Sequence, residues 1–496
     1  MSRGAGPDPD PGGAPEPDLA ELELDRETMR ALGYRVVDLL VEHWSTLRDQ
    51  PAGRTASRER LEALLDEPPA EDPGDPEAIL QRLERDVLGW MGRVHHPRFF
   101  AFIPSPSNFV SVLGDAIAAG HNVFAGTWFE SAGPAMLELV VLDWLRSWCG
   151  MPESTGGVLT SGGSMANLTA LAVARRVRLD DDAADAVVYA SDQTHSAVDR
   201  GLAVLGFDAR ALRRLRSDEA FRLSPGALAG AIAEDRAAGR RPFCVVANAG
   251  TTNTGAVDPL EPLAEVCERE GLWLHVDAAY GGGAVLCEEG RRALAGLERA
   301  DSVALDPHKW LFQPYEIGCV LVREEGALLE TFHVLPDYLR DVEAKRGEVN
   351  FGDRGVQLTR SFRALKLWLS IQVFGLRAFR GAVERGLENA RFVESILEES
   401  DGWEVTSPAS LGIVTFRWSP PGVGDETAER ITAGLVEASQ EDGFTLVSST
   451  RLDGRTVVRM CPINPRTTKD DLRASVERLE ELAGRLATGG GRDPAT

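Results

Sequence analysis

Short apolar runs alternate with helical patterns through the middle of the chain, and this alternation constrains the fold more than any other feature. Between residues 157 and 322 one intervening helical segment is PLEPLAEVCEREG, and the apolar runs are AVVYAS, FCVVAN, LWLHVD, SVAL and IGCVLV. Strands that alternate with helices form βαβ units. The sequence therefore predicts an α/β fold with a mostly parallel central sheet and helices on both of its faces.

The segments on either side of this region have different patterns. Apolar residues recur at helical spacing near the start of the chain, whereas strand-like and helical segments are mixed near its end. We predict a helical N-terminal segment over residues 19–110, a large α/β domain over 111–366 and a small C-terminal α+β domain over 367–487. Residues 1–18 and 488–496 are rich in Gly and Pro and are predicted to be disordered tails.

The chain carries a strong excess of acidic residues. It contains 77 Asp and Glu against 53 Lys and Arg, a formal net charge of −24. This charge repels phosphate backbones and anionic lipids, so we expect a small-molecule ligand rather than nucleic acid or a membrane. The six cysteines have no CxxC spacing, which predicts neither disulfides nor a metal site. Because the N-terminus has no apolar signal segment, the sequence predicts a cytoplasmic protein.

A turn of small residues follows the strand-like GVLT and precedes a helical pattern. Backbone N–H groups at a helix start bind anions, and Gly162, Gly163 and the Ser164 hydroxyl would supply such a site. The alternative is an ordinary Ser/Gly turn before a helix. The segment matches neither the phosphate loop of nucleotide-binding proteins, which requires Gly-Lys-Ser/Thr, nor the GxGxxG dinucleotide motif.

Two charged residues also follow predicted strands. Asp277 comes directly after LWLHV, and Lys309 follows SVAL within DPHKW. In isolation, Asp277 could be a cap or a turn former, and Lys309 could be a solvated surface charge. A lysine between two apolar segments is instead desolvated, which makes its amine nucleophilic. Because open α/β sheets bind ligands at the carboxyl ends of their strands, both residues are candidates for a functional site.

An anion site, a strand-end carboxylate and a nucleophilic lysine are together what pyridoxal 5'-phosphate (PLP) requires. Its phosphate needs a helix start, its ring nitrogen needs a carboxylate and its aldehyde needs an amine. DPHKW, HVDAAY, the GGS turn and SDQTHSAVDR resemble the motifs of the group II PLP-dependent amino-acid decarboxylases, the group that includes aromatic-L-amino-acid decarboxylase. The resemblance extends from about Leu24 to Arg485 and implies the architecture of fold-type-I PLP enzymes.

The resemblance implies a role for each motif residue. Lys309 would bind the cofactor aldehyde covalently, Asp277 would pair with the ring nitrogen, and His195 would stack on the ring. Tyr338, in LPDYLRDVEAK, would protonate the substrate carbon after loss of the carboxylate. The remaining cofactor contacts would come from Gly163, Ser164, Thr252 and Asp306.

The resemblance also indicates where the substrate binds. Phe102, Pro104 and Ser105 match the family segment that forms a pocket wall and meets the substrate carboxylate. Aromatic residues in this stretch, and at Trp128 and Phe129, could belong to the core, yet their density favours an aromatic side chain in the substrate.

Thr359 differs from the Gly or Ser that familiar aromatic decarboxylases carry just before the arginine of QLTRSF. Its branched side chain would narrow the substrate pocket.

The expected activity is PLP-dependent α-decarboxylation of an aromatic L-amino acid to the amine and CO2. The family also implies a homodimer with active sites at the interface, to which the N-terminal helices would contribute. The alternatives are a same-fold decarboxylase of glutamate, cysteine sulfinate or diaminobutyrate, a decarboxylating aldehyde synthase, a nicotinamide-dependent oxidoreductase and a non-enzymatic acidic binding protein. In the family, tyrosine at position 338 indicates simple decarboxylation and phenylalanine indicates aldehyde synthesis. Tyr338 therefore favours simple decarboxylation.

Overall fold

The structure, a computed structural model, describes residues 22–334 and 344–488. The predicted tails, apart from Thr488, and the predicted catalytic residue Tyr338 lie outside these ranges. The chain divides into two compact units. The N-terminal unit contains residues 1–50 and 57–89, and the main unit contains residues 51–56 and 90–496. Within the described ranges no helix is both long enough and apolar enough to cross a membrane.

The N-terminal unit is helical, as the apolar spacing predicts. Its helices are α1 (Arg26–Ser45), α2 (Arg58–Leu65) and α3 (Pro76–Arg82), and a π-helical turn, Leu83–Leu88, follows α3. The Asp25 carboxylate caps α1 by accepting the backbone N–H groups of Glu27 and Thr28. Helix α2 also lies within the segment predicted to be helical, although none of its residues is buried.

A seven-stranded sheet forms the centre of the main unit. Its strands are β1 (Gly156–Thr160), β2 (Ala186–Ser191), β3 (Leu212–Leu215), β4 (Arg241–Asn248), β5 (Trp273–Ala278), β6 (Ser302–Leu305) and β7 (Gly318–Val322). They lie in the order β1-β7-β6-β5-β4-β2-β3. The two pairings of β7, with β1 and with β6, are antiparallel, and the other four pairings are parallel. The predicted mostly parallel sheet is confirmed.

Helices surround this sheet. They are α4 (Phe109–Gly120), α5 (Trp128–Trp148), α6 (Gly163–Leu179), α7 (Ala197–Val204), α8 (Pro225–Ala237), α9 (Leu260–Glu270), α10 (Glu288–Ala293), α11 (Pro307–Trp310), α12 (Gly326–Phe332), α13 (Ala364–Phe374) and α14 (Leu376–Glu398). Every residue of β1, β2, β5, β6 and β7 is buried. Both faces of these strands are therefore covered, which explains why they read as continuous apolar runs.

A second, four-stranded antiparallel sheet follows α14. Its strands, β8 (Trp403–Ser410), β9 (Ile413–Trp418), β10 (Ser448–Leu452) and β11 (Arg455–Met460), lie in the order β10-β11-β9-β8. With the C-terminal part of α14, α15 (Asp425–Asp442) and α16 (Lys469–Ala487), the sheet encloses its own core around Phe416, Val458 and Leu472. The predicted C-terminal α+β element is confirmed.

Candidate active site

One cavity of about 410 Å³ opens at the carboxyl ends of the central strands. Strands β1, β2, β4, β5 and β6 all run in the same direction, so the residues that follow them meet at one edge of the sheet. All seven residues predicted to contact the cofactor line this cavity: Gly163, Ser164, His195, Thr252, Asp277, Asp306 and Lys309. Residues as far apart in the sequence as Gly163 and Lys309 are thus brought together.

The first turn of α6 forms one wall of the cavity. Gly162 precedes this helix with φ of +148°, and no side chain in the described part of the chain caps the helix. A Cβ atom on Gly163 would lie 2.8 Å from the Ala279 Cβ and 2.9 Å from an Asp306 carboxylate oxygen. Glycine is therefore required for this close approach, and the first-turn N–H groups stay available to an anion.

Lys309 lies on the short helix α11, and its ion-pair partner Asp306 directly precedes that helix. Its Nζ is 2.9 Å from Asp306 Oδ2, and the Asp306 side chain is only 3% exposed. His308 Nδ1 donates to the Ile317 carbonyl at 2.7 Å, and burial lowers the pKa of His308. Asp306 Oδ1 is buried and has no hydrogen-bond partner among the described residues. The Lys309–Asp306 ion pair therefore holds the lysine amine at the cavity. It leaves Asp306 Oδ1 able to accept a hydrogen bond from a ligand.

Asp277 sits at the end of β5 with both carboxylate oxygens engaged. Oδ2 accepts from Asn167 Nδ2 at 3.0 Å, and Oδ1 accepts from the Ala279 backbone N–H at 3.1 Å. The residue is 8% exposed and lines the cavity. These two contacts fix the plane of the carboxylate, which suits it to pair with a positively charged group of a ligand.

His195 and Thr252 belong to loops after β2 and β4. His195 Nδ1 accepts the backbone N–H of Ala197 at 3.1 Å, so a neutral ring carries its proton on Nε2. The imidazole is exposed and lines the cavity. Thr252 lies in a turn in which the hydroxyls of Thr251 and Thr254 are 2.9 Å apart. The turn presents Thr252 to the same cavity.

The predicted substrate residues lie outside the lining of this cavity in the single chain. Phe102 is 67% exposed, whereas Pro104 and Ser105 are buried. The Ser105 hydroxyl has no partner within the described ranges. Thr359 is exposed and directly precedes Arg360, which is buried in an ion pair with Glu138. Their roles in substrate binding stay predictions.

Sequence reasoning missed Arg459, a buried arginine of β11 that is 3% exposed. Its Nη1 donates to the Phe102 carbonyl at 2.7 Å, while Nε and Nη2 have no partner in the part of the chain that the structure describes. Two residues later, the Cys461 thiol is 3.5 Å from the hydroxyl of Tyr280, which lines the cavity. An arginine inside the apolar run TVVRM was the signal that could have identified it.

The family assignment follows from the match of a family model. The "Pyridoxal-dependent decarboxylase conserved domain" model matches residues 59–419, well over half of the chain. The chain belongs to the pyridoxal-dependent decarboxylase family. It is therefore a carboxy-lyase that uses PLP, and the sequence-based assignment of family, fold, cofactor and enzyme class is confirmed. The nicotinamide-dependent and non-enzymatic alternatives are wrong.

Individual members of this decarboxylase family match along nearly the whole chain. An aromatic-L-amino-acid decarboxylase of Bacillus atrophaeus is 47% identical over 464 residues, covering 93% of this chain and 97% of the relative. A phenylacetaldehyde synthase of Arabidopsis thaliana is 29% identical, covering 93% and 97%. The crystal structure of Oryza sativa TDC with PLP and tryptamine has a TM-score of 0.89 at 29% identity, covering 94% and 99%.

The residues of this decarboxylase's cavity fit PLP. The uncapped N-terminus of α6 can receive a phosphate, and Gly163 leaves room that a Cβ would fill. The partly exposed Lys309 amine suits an aldehyde, and the fixed Asp277 carboxylate suits a protonated ring nitrogen. The donor set of the cavity thus matches each functional group of the cofactor.

Proposed function

We propose that the protein decarboxylates an aromatic L-amino acid to the corresponding amine and CO2. The observation that carries this proposal is the meeting of an uncapped helix start, Asp277 and Lys309 in one cavity. The aromatic substrate class is supported by the Bacillus atrophaeus relative and by the rice structure that contains tryptamine. Tyr315, an exposed aromatic residue that lines the cavity, also supports it.

Each cavity residue has a task in this proposal. When bound, PLP supplies a ring that accepts the electron pair of the broken Cα–carboxylate bond. Lys309 provides the amine that holds the cofactor aldehyde, and Asp277 holds a proton on the ring nitrogen. The N–H groups of Gly163 and Ser164 bind the phosphate, and His195 covers the ring with its Nε2–H free to donate.

Arg459 is the group that we assign to the substrate carboxylate; in the single chain it is buried and is not part of the cavity lining. A buried guanidinium with unpaired N–H groups is unfavourable unless a ligand satisfies it. Its contact with the Phe102 carbonyl joins it to the segment predicted to form the substrate wall. A carboxylate can take two parallel hydrogen bonds from an arginine, which would fix the orientation of the substrate.

Aldehyde synthesis is the second candidate, because the Arabidopsis thaliana relative is a phenylacetaldehyde synthase of nearly the same length. The two activities differ in their product and in oxygen use. An aldehyde synthase consumes O2 and releases ammonia and peroxide, whereas a simple decarboxylase releases only amine and CO2. The nature of the product therefore separates them.

The experiment is a substrate panel with the PLP-loaded enzyme. CO2, amine, aldehyde and O2 uptake are measured for Trp, Phe, Tyr, dihydroxyphenylalanine, Glu and diaminobutyrate. We expect amine and CO2 in equal amounts from at least one aromatic substrate, without O2 uptake. Turnover of only Glu or diaminobutyrate would overturn the substrate class, and aldehyde as the main product would overturn the reaction type.

We further propose a homodimer in which the N-terminal helices contact a second copy of the chain. In support, α1 carries the exposed apolar side chains of Met29, Tyr34, Val37 and Val41, and such a surface marks an association site. Light scattering should give twice the 53.7 kDa chain mass, and the pair Tyr34→Glu with Val41→Glu should lower it. A wild-type monomer at micromolar concentration would contradict the proposal.

We also infer that the protein works in the cytoplasm. All six cysteines are unpaired and buried, which suits a reducing compartment.

A further inference from the structure

A line of buried polar side chains runs away from Asp277 into the core of the main unit. Asn167 of α6 donates to Asp277 Oδ2 at 3.0 Å, and His275 Nε2 lies 2.6 Å from Asn167 Oδ1. His275 Nδ1 is 2.9 Å from Ser302 Oγ, to which the Trp273 indole N–H donates at 2.8 Å. All five residues are at most 8% exposed. The line joins β5, β6 and α6 in a single hydrogen-bonded chain.

The direction of every hydrogen bond in this chain follows from the groups at its two ends. A carboxylate only accepts, so Asn167 must present its NH2 group to Asp277 and its oxygen to His275. His275 therefore carries a proton on Nε2. The Trp273 indole only donates, so Ser302 Oγ accepts from it and can pass its own proton to His275 Nδ1. Each donor thus points along the line toward Asp277.

His275 is neutral in this arrangement. Its ring is completely buried, and burial lowers its pKa to about 4 although the Asp277 carboxylate acts in the opposite direction. A neutral Nδ1 accepts from Ser302 as the directions above require. An imidazolium would instead place a second positive charge near Asp277, in competition with any cationic group of a ligand.

We propose that Asn167 and His275 are positioning residues for Asp277. They hold one carboxylate oxygen through a chain of neutral groups, so the carboxylate is oriented without being neutralised. Its full charge is then directed at the group in the cavity. The inference rests on the proposed pairing of Asp277 with the cofactor ring nitrogen.

This arrangement solves a problem of buried carboxylates. A buried carboxylate without partners has no fixed orientation. When the carboxylate is paired with arginine or lysine, that cation compensates its negative charge. Hydrogen bonds aligned in one direction polarise one another and strengthen the last bond of the line. Asn167 therefore presents a stronger donor to Asp277 than an isolated amide would.

The first test observes the protonation of His275 directly in the wild-type holoenzyme. Nitrogen-15 NMR of the histidine-labelled protein, with His275→Phe to assign the signal, should give a neutral ring with its proton on Nε2 from pH 6 to 8. A ring protonated on both nitrogens, or on Nδ1 alone, would overturn the proposal. This readout requires no turnover.

The second test compares variants that shorten the line. Asn167→Leu removes the group that is hydrogen-bonded to Asp277. His275→Phe removes the next group of the line, and Ser302→Ala removes the one after that. Tyr189→Phe is the matched control, because the Tyr189 hydroxyl is buried on β2 and donates to Asp235 at 2.8 Å. We expect kcat to fall about 10–100-fold in Asn167→Leu, the range found when outer partners of a functional group are removed. The substrate KM should stay within about twofold, because substrate binding is not altered.

If Asn167 and Ser302 only stabilised the fold, their substitution would not change the visible absorption spectrum of the bound cofactor. The pH midpoint of the visible absorption of the bound cofactor should shift in Asn167→Leu and in the milder Ser302→Ala, and stay unchanged in Tyr189→Phe. Folded variants with wild-type kcat and spectrum would overturn the proposal, even if the wild type decarboxylates as proposed. An inactive wild type would instead indicate that the proposed function is wrong.

Discussion

The Lys309 amine lies 2.9 Å from the Asp306 carboxylate, three positions earlier in the same turn. This pair holds a primary amine at the cavity wall while leaving 20% of the lysine side chain exposed. We predict that Lys309→Ala abolishes decarboxylation but retains the fold, because the amine acts chemically. Far-UV circular dichroism and CO2 release check the two parts. Residual turnover within about tenfold of wild type would exclude Lys309 as the reactive amine.

Asp277→Asn should damage catalysis far more than its nearly identical shape suggests. The amide cannot hold a proton on a ring nitrogen as a carboxylate does, so transition-state stabilisation is lost. We expect kcat to fall by about 10²–10³-fold, the loss typical of one electrostatic contact. Steady-state kinetics with saturating cofactor check this. A variant with nearly wild-type kcat would show that Asp277 does not contact the ring.

Arg459→Gln should weaken substrate binding, because it removes the buried cation assigned to the substrate carboxylate. Loss of one partner of a buried charge pair costs about 2 kcal/mol or more, roughly 30-fold in kcat/KM. Arg451→Gln, an exposed arginine on the neighbouring strand β10, is the matched control and should be neutral. Equal kcat/KM for the two variants would remove Arg459 from the substrate site.

Acid should destabilise the wild type through His275. Burial lowers its folded-state pKa to about 4, below the value of about 6.5 in an unfolded chain. Between these values the unfolded chain binds a proton that the folded chain does not, so the free energy of unfolding decreases as pH falls from 6.5 toward 4. Urea unfolding of wild type and His275→Phe across this range checks the sign. The wild type should lose up to about 1.4 kcal/mol more per pH unit, and parallel pH profiles would contradict it.

Much of the fold could be predicted from the sequence because buried parallel strands produce continuous apolar runs. Strand β3 was missed because it is a four-residue edge strand, LRRL, whose two central residues are arginines rather than apolar residues. The helical pattern FRALKLWLSIQVFGLRAF continues without a break in the sequence, yet it contains all of α13 and the start of α14, because Gly375 adopts φ of +74° between them. β8 was missed because its sequence, WEVTSPAS, is polar and contains proline. The local sequence pattern therefore did not reveal strands at the edges of the sheets or the break between two consecutive helices.

The GGS turn, Asp277 and Lys309 could be proposed from the sequence because each follows a strand-like run, whereas His195, Thr252 and Asp306 were proposed only from the family resemblance. Arg459 could have been singled out as a charge within an apolar run, but the roles proposed for Arg459 and Asn167 could not be predicted, because they depend on neighbours far along the chain. Asn167 is 110 positions from Asp277, and Arg459 is 357 positions from Phe102. Only tertiary packing reveals that one orients a carboxylate and that the other has unpaired N–H groups.

The most direct test of the account is to map the lysine that binds the cofactor. The chain contains four lysines, Lys309, Lys345, Lys366 and Lys469. Of these, Lys366 is also buried and is paired with Asp115 at 2.8 Å, which makes it the natural internal control. The PLP-loaded enzyme is reduced with borohydride, digested and analysed by mass spectrometry. We expect a pyridoxyl group on Lys309 and none on Lys366. A label on any other lysine with Lys309 unmodified would contradict the assignment of Lys309 as the residue that binds the cofactor.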